Sequence, residues 1–521
     1  MVRQISVTTQ NKLAIREGAS HTQSRNQNKD RCMPSPDKST YRLAVVRPVW
    51  LPFNKTAELI VNDLISELGY PTTGPKAAKY AVVVASMLKA TQTVDGSSRS
   101  EQPTYLGIQR KASAWSRYPL VGRDIAKKVI DDLIIHFGAS FIEGSGDSGL
   151  HKDKKDKWRT DPIMSMYEID LTRIPNDLAS ARFIEVGRPS VKVNKLETRP
   201  QRDWRKSQKL PKGFLNDKAA KALDKDAHRA SESRIQSLNE FWLEHPLVFP
   251  NGHAAASATR VFHDCRFDAG GRIYGAWTGL DQKEHRIHCT IDDEPICEID
   301  IRASQPTLFS SLLGYKLGGL KASDQWDDVY AELSHLAPTG IGWAVLDDTI
   351  DTIDMMKRNR SVAKKVVMTL IGSGIPLKAK ATYDLVKDYG LTDIGWKHFR
   401  DRLITTIPAF EELEPRYDSR GNVVGYLNGA GFLSYHESEM MLKALEQLVE
   451  LGIPAYPVHD CLMVKVSDAK EAASVFRQVV RDYCKRLSGL EVLVPLSVTV
   501  ADSISKELLP TDKELKGIYL S

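Results

Sequence analysis

Four short segments of this chain place acids, cations and an imidazole at spacings suited to phosphate and metal chemistry. The first is IPAYPVHDCLMVKV, in which Pro457-Val458 leads into His459-Asp460 and then Leu462, Val464 and Val466 alternate with Cys461, Met463 and Lys465. A period of two on either side of a tight turn predicts a hairpin with His459 and Asp460 at its tip. A carboxylate there can hold a metal ion from a rigid base, and the same pattern also suits an ordinary turn aspartate. The second segment is EPICEIDIRASQPTLFSSLLGY. Ile296 to Ile301 reads as a buried strand, Asp300 lies where it gives way to a helix near Pro306, and Glu298 shares the Asp300 face. An acid beside a helix start is a recurrent site for divalent metal and phosphate; an edge carboxylate or a helix cap would look the same.

The third segment is RNRSVAKKVVMTLIGSG. Arg360, Lys364 and Met368 recur every four residues on one helix face, while Val362, Val366 and Leu370 fall on the opposite one. Valines inward and cations outward suit a grip on a triphosphate, or a plain amphipathic surface helix. The fourth is RFDAGGRIYGAW. Asp268, Arg272 and Tyr274 bracket Gly270-Gly271, which permits a tight turn. Arg272 and Tyr274 then share one side, offering a phosphate contact beside a stacking surface, or merely decorating a glycine hairpin.

The elements that must position these residues follow from periodicity. Upstream, a helix is predicted over Pro75–Thr91, opened by Gly74-Pro75. A second runs from Gly122 to Phe137, with Ile125, Val129 and Leu133 on one face and Gly138 ending it. Two apolar strands follow, Ala139–Glu143 and Ile163–Ile169, joined by the Lys-rich GSGDSGLHKDKKDKWRTDP. Helix, then hairpin with a basic tip, resembles a winged helix-turn-helix, with a helix in the major groove and the wing on phosphates. A helix packed on a two-stranded sheet with a solvated loop gives the same pattern. Downstream, Phe432–Val449 is expected as a helix beneath the His459-Asp460 hairpin, and Leu493–Val500 as a further strand. Glu437 and Ser438 on that helix face either a bound duplex or the core.

Length and composition bound these readings. The 521 residues suffice for two to four domains. With 42% hydrophobic and 26% charged residues, and no apolar run longer than Tyr80–Leu88, a globular chain outside the membrane is expected. The opening MVRQISVTTQNKLAIREG has no apolar core after its charges, so no secretory leader is expected. Six cysteines without a CxxC pair fit a reducing compartment and argue against structural zinc. The net charge is +6, and Arg199 to Arg234 alone holds eleven Lys/Arg against five Asp/Glu, a local excess equal to that of the whole chain. A basic segment of that kind suits a polyanionic partner, or a solvated linker. Residues 1–40 read as a flexible arm, 41–170 as the winged-helix-like module, 171–240 as a basic helical connector or thumb-like region, and 241–521 as the part that carries the chemistry.

Taken in order, the four segments resemble the polymerase superfamily that includes single-subunit phage and mitochondrial RNA polymerases and the DNA polymerase I class. Asp300 with Ser304 looks like motif A, Arg360-x3-Lys364-Lys365 with Met368-Thr369 like motif B, and Val458-His459-Asp460 like motif C. Asp268-x3-Arg272-x-Tyr274 resembles an upstream template-contacting turn. The resemblance covers about residues 260 to 500. It implies an α+β chain: a right-hand palm and fingers in the C-terminal half, with an N-terminal winged-helix-like module. It also implies template-directed nucleotidyl transfer. Asp300, Asp460 and the Ile301 carbonyl would hold two Mg²⁺ ions, with Mn²⁺ as a substitute. Arg360, Lys364 and Lys365 would neutralise the triphosphate, His459 would sit by the growing 3′ end, and Asp268, Arg272 and Tyr274 would contact the template.

Two positions depart from the family. Gly372, followed by Ser373, stands where an aromatic residue and glycine are usual. Gln305 stands where DNA polymerases carry glutamate and RNA polymerases glycine; both Gln305 and Gly372 would line the nucleotide. Asp300 and Asp460 lie 160 residues apart, leaving little room for fingers insertions. No exonuclease domain is recognisable in 171–260. The resemblance leans towards DNA-dependent RNA or primer synthesis. A family A type DNA polymerase without exonuclease stands as an alternative, as does a non-catalytic DNA-binding replication initiator with a degenerate palm. Expected partners are a DNA template, nucleoside triphosphates and an RNA or DNA primer, in the cytoplasm, the protein being that of a bacterial cell or encoded by a phage or plasmid. Oligomeric state is left open.

Overall fold

The computed structural model of the chain describes residues 42–96, 104–109, 115, 118–143, 151–152, 158–159, 164–193, 203, 206–207, 209, 224–263, 266–315, 329–334, 352–372, 383–490, 494 and 496–501. The flexible arm expected over 1–40, most of the basic tip at 144–162, most of the basic stretch at 199–223 and Ser373 lie outside them. The architecture is α+β, with helices packed on mixed sheets.

The N-terminal part runs β1 (Arg42–Val45), β2 (Trp50–Pro52), α1 (Lys55–Glu67), α2 (Ala77–Gly96), β3 (Thr104–Ile108), α3 (Arg123–His136), β4 (Ser140–Glu143), β5 (His151–Lys152), β6 (Trp158–Arg159), β7 (Ser165–Glu168), β8 (Phe183–Glu185) and β9 (Val191–Val193). A four-stranded sheet takes the order β1-β3-β7-β4, with β1 and β3 parallel and the other pairs antiparallel. Its core is the apolar run of α2: Val82, Val83, Val84, Ala85, Met87 and Leu88 are all buried. A helix apolar on every side must be enclosed, and α1, α3, β2 and β3 all pack on α2. The sequence ends this helix at Thr91, but it continues to Gly96. The extra turn is held by tertiary contact, because the Gln92 amide donates to the carbonyls of Leu178 and Ala181 at 2.8 and 3.1 Å.

The rest of the chain runs α4 (Lys225–Glu244), β10 (Leu247–Val248), β11 (Ala254–Ala255), β12 (Thr259–Phe262), β13 (Gly270–Tyr274), β14 (Thr290–Ile291), β15 (Glu294–Ile301), α5 (Ser304–Leu312), α6 (Val329–Ser334), α7 (Thr352–Gly372), α8 (Tyr383–Tyr389), α9 (Asp393–Thr406), β16 (Arg416–Tyr417), β17 (Val423–Gly425), α10 (Gly429–Glu450), β18 (Ala455–Val458), β19 (Cys461–Lys465), α11 (Ala469–Ser488) and β20 (Leu496–Val500). A nine-stranded sheet orders as β18-β19-β15-β14-β10-β11-β8-β2, with β20 on the other flank of β15. A second core runs from Ile184 to Leu496. The connector expected to be helical thus holds two strands as well, β8 and β9, each only three residues long. Three residues cannot display a period of two, so tertiary pairing alone defines them.

The sheet edge that matters most is β18. Among the described residues its backbone carbonyls at Ala455 and Pro457 meet no further strand; the indoles of Trp242 and Trp277 donate to them, each at 2.8 Å. Tyr456 stacks on Trp242 at 5.0 Å and donates its hydroxyl to the His245 carbonyl at 2.6 Å. Pro457 has no N–H and so belongs on an edge. An edge closed by indoles cannot pair with another chain, and it stiffens the hairpin that follows.

Candidate active site

Two acids meet at one end of the large sheet. β15 pairs antiparallel with β19 so that Asp300 stands opposite Cys461, and Asp460 precedes Cys461 in the β18–β19 turn. This juxtaposes Asp300 and Asp460, 160 residues apart in sequence. Each is followed or preceded by a backbone that only a tight turn explains. His459 has φ of 59° and Ala303, between β15 and α5, has φ of 47°. A left-handed residue other than glycine costs about 1–2 kcal/mol, and such costs gather at functional sites. The turn after Asp300 also starts the helix earlier than the sequence suggests, at Ser304 rather than near Pro306. Pro306 then falls in the first turn, where its missing N–H removes no helical bond. Ser304 donates its hydroxyl to the Asp460 carboxylate, joining the two acid-bearing segments.

The electrostatics follow from that meeting. Burial, then the charge of Asp460, then that of Glu298 push the Asp300 carboxyl up to about 7, while Lys364 pulls it partly back. The Cys461 thiol, enclosed beside all three acids, is held neutral by burial and by Glu298, Asp300 and Asp460. Burial and the Arg272 cation lower the His459 imidazole, whose ring lies edge-on to Tyr274 at 5.6 Å. Lys364 is exposed on α7, with Met368 and Gly372 on the same face, while Val362, Val366 and Leu370 are buried opposite. Arg360 and Lys365 are half-buried on that helix.

β13 supplies the next wall. Gly270 and Gly271 have φ of 80° and 86°. A Cβ on Gly271 would come within 2.8 Å of the Ser438 Oγ, so glycine is required by both conformation and space. Arg272, one residue on, donates to Glu437 at 2.5 Å. Glu437 lies on the α10 face buried against β13, and burial, together with Asp460, pushes its carboxyl up to about 7 against the pull of Arg272. Glu437 and Ser438 therefore face the core, settling the choice left open by the sequence. Ser438 accepts from Arg260 at 3.2 Å, and Arg260 also donates to the Gly271 carbonyl at 3.0 Å.

The expected grouping of Asp268 with Arg272 and Tyr274 divides. Asp268 is drawn to Arg266, at 2.5 Å through both carboxylate oxygens. Arg272 and Tyr274 instead turn toward the Asp460 end: both Tyr274 and Asp460 bear on the Arg272 guanidinium, and Tyr274 meets His459. Three residues absent from the expected site also belong to it. Glu437 is the partner of Arg272, while Arg286 and Gln282 bind Glu298. The alternation of Glu298 with Asp300 was visible in the sequence; Glu437 and Arg286 carried no such signal, because their relation to the site exists only across the fold.

Among the described residues, Arg272 Nε, Glu437 Oε1, His459 Nδ1 and Gln305 Oε1 are buried polar atoms with no hydrogen-bond partner. Buried polar groups are nearly always satisfied, so these atoms leave hydrogen-bonding capacity open to a polar ligand. The donor set is two carboxylates; among the described residues no cluster of three or more His, Cys, Asp and Glu forms a metal cage. Two hard oxygen donors with the remainder left to water and phosphate is how Mg²⁺ is usually held, so the residues fit that ion.

No protein-family model matches the chain, and no curated protein matches it. Among solved structures, the POL domain of Pol1 from M. smegmatis, in complex with DNA primer-template and dNTP, is similar over 52% of this chain and 51% of its own, at 14% identity and a TM-score of 0.30. The chain thus spans about half the length of that structure. A TM-score of 0.30 is too low to assign a fold, and the chemistry of the site is read from its own residues.

Proposed function

We propose that this protein is a template-directed nucleic-acid polymerase whose active site is the Asp300–Asp460 pair. The observation that carries this reading is the meeting of those two carboxylates on neighbouring antiparallel segments, with Ser304 fixing Asp460. In this reading β15, β18, β19 and β20 form the floor of a palm, and α7 is a fingers helix presenting Arg360, Lys364 and Lys365. Bound Mg²⁺, or Mn²⁺ in its place, would be held by Asp300, Asp460 and the Ile301 carbonyl, and would stabilise the charge that develops on the transferring phosphoryl group.

The chain's own residues do the positioning. Lys364 reaches into the field of Asp300 from an exposed helix face, where a triphosphate can meet it. His459, its imidazole lowered by burial and with Nδ1 unpartnered among the described residues, would donate or accept one hydrogen bond beside the primer end. Gln305 lies on the first turn of α5 with Oε1 unpartnered, suited to a sugar hydroxyl. Arg272 and Tyr274 line the template side, and Gly372 leaves the end of the cationic face open. The N-terminal α3 and the β4–β7 pair would serve as the DNA-binding module. The product is read as RNA or a primer from the motif wording, while Gln305, large enough to crowd a 2′-hydroxyl and so to select against ribonucleotides, favours the DNA alternative.

The test is extension of a labelled primer on a DNA template with Mg²⁺, using rNTPs and dNTPs in parallel, a lane without primer, and Asp300→Ala and Asp460→Ala as controls. Templated product lost in both variants, with DNA binding retained, is the expected result. Full activity in either variant would move the active site elsewhere. No incorporation under any condition would favour a non-catalytic DNA-binding protein, a reading to which Gly372 in place of an aromatic residue lends support. Gln305→Gly should relax sugar selection; an unchanged rNTP/dNTP ratio would remove that role.

A further inference from the structure

Glu298 is 1% exposed on the central strand β15, flanked by β19 on one side and β20 on the other. It precedes Asp300 by two residues, so both side chains stand on one face, about 6.6 Å apart along the strand. Arg286 donates to one carboxylate oxygen of Glu298 at 2.5 Å, and Gln282 donates to the other. The Arg286 side chain is 13% exposed and also reaches the Leu280 carbonyl at 3.4 Å. Packing alone does not account for this arrangement. Apolar residues would fill the same space without the cost of desolvating two charges. A charge held at that depth acts on its neighbours with little screening.

We propose that Glu298 and Arg286 are a charge-setting pair for the metal site, Glu298 adding a third negative charge beside Asp300 and Arg286 cancelling it. The inference rests on the reading of Asp300 and Asp460 as metal ligands. When ionised, Glu298, Asp300 and Asp460 carry three negative charges, of which Arg286 offsets one. Glu298 and Arg286 are positioning residues: they touch neither metal nor substrate, and they set how tightly the acid pair holds a cation.

The two members then act with opposite sign, which separates this role from a structural one. Mn²⁺ binding to the full-length protein without nucleotide, followed by electron paramagnetic resonance and checked by competition with Mg²⁺, reads it directly. Glu298→Gln should weaken Mn²⁺ binding about tenfold, and Arg286→Gln should tighten it about tenfold. The double variant, which leaves no buried charge unpaired, should return to within about threefold of wild type, and it carries the test should Arg286→Gln fail to fold. Thermal melting establishes that each variant is folded. Unchanged affinity in folded Glu298→Gln, or a double variant as weak as Glu298→Gln, would overturn the inference while leaving the site intact. Binding that survives Asp300→Asn, or a wild type that binds no Mn²⁺, would overturn the metal reading itself and this inference with it.

Discussion

Ser304 donates its hydroxyl to Asp460, so the first residue of the helix that follows one acid's strand holds the carboxylate of the other. The bond crosses 156 positions of sequence and sets the distance between two acids whose charges repel. Ser304→Ala should leave the fold intact, since one small hydroxyl is removed, but should release the Asp460 rotamer. A hydrogen bond to a charged group is worth about 1.5–3 kcal/mol, so incorporation should fall at least tenfold. Primer extension beside circular dichroism checks this; wild-type rates in a folded Ser304→Ala protein would deny the bond a role.

The acid pair should cost stability where it provides function. Asp300 has its carboxyl raised to about 7 in the folded protein, so between about pH 4 and 7 the native state binds a proton that the unfolded state has lost. Stability attributable to this group is therefore full below that window and declines as pH rises through it. Asp300→Asn cannot ionise and should melt about 2–4 °C higher than wild type at pH 8 without divalent metal, while losing incorporation. Equal or lower melting in Asp300→Asn would show that the repulsion is already relieved.

The Arg272–Glu437 pair makes a different claim. Glu437 is 4% exposed, so removing Arg272 leaves a buried acid without its cation. Arg272→Met should destabilise by about 3–5 kcal/mol, and adding Glu437→Met should recover most of that, because an apolar pair carries no desolvation cost. Urea midpoints of the two single variants and the double give the coupling. Additive losses would mean the residues do not act together.

A pH effect is also expected far from the acids. His253 accepts the Phe183 N–H at Nδ1, at 3.0 Å, which requires a neutral ring. Burial, then the Lys89 and Arg182 cations, lower it to about 3. The unfolded chain takes up a proton near pH 6.5 that the folded one refuses. Stability from this group is thus present above pH 6.5 and is lost as pH falls towards 3, at about 1.4 kcal/mol per pH unit. His253→Gln, titrated by urea melts between pH 4 and 7, should flatten that decline; an unchanged slope would place its origin elsewhere.

Local pattern was enough for the parts of this protein that are short and periodic. Gly270-Gly271, expected to make a tight turn, lie instead at a bulge that opens β13, but the alternation after Asp460 gives β19 and the fourfold spacing of Arg360, Lys364 and Met368 gives the outward face of α7. Each of these depends on neighbours within a few residues, so a period of 2 or 3.6 records it. The tertiary structure decided which of those residues share a site. The antiparallel register of β15 with β19 joins Asp300 to Asp460, and the face that α10 buries against β13 places Glu437 on Arg272. The same packing leaves Asp268 with Arg266, and two indoles close the β18 edge. Such relations join segments tens to hundreds of residues apart, and they follow from which apolar surfaces meet in the core, a choice that no local window of sequence contains.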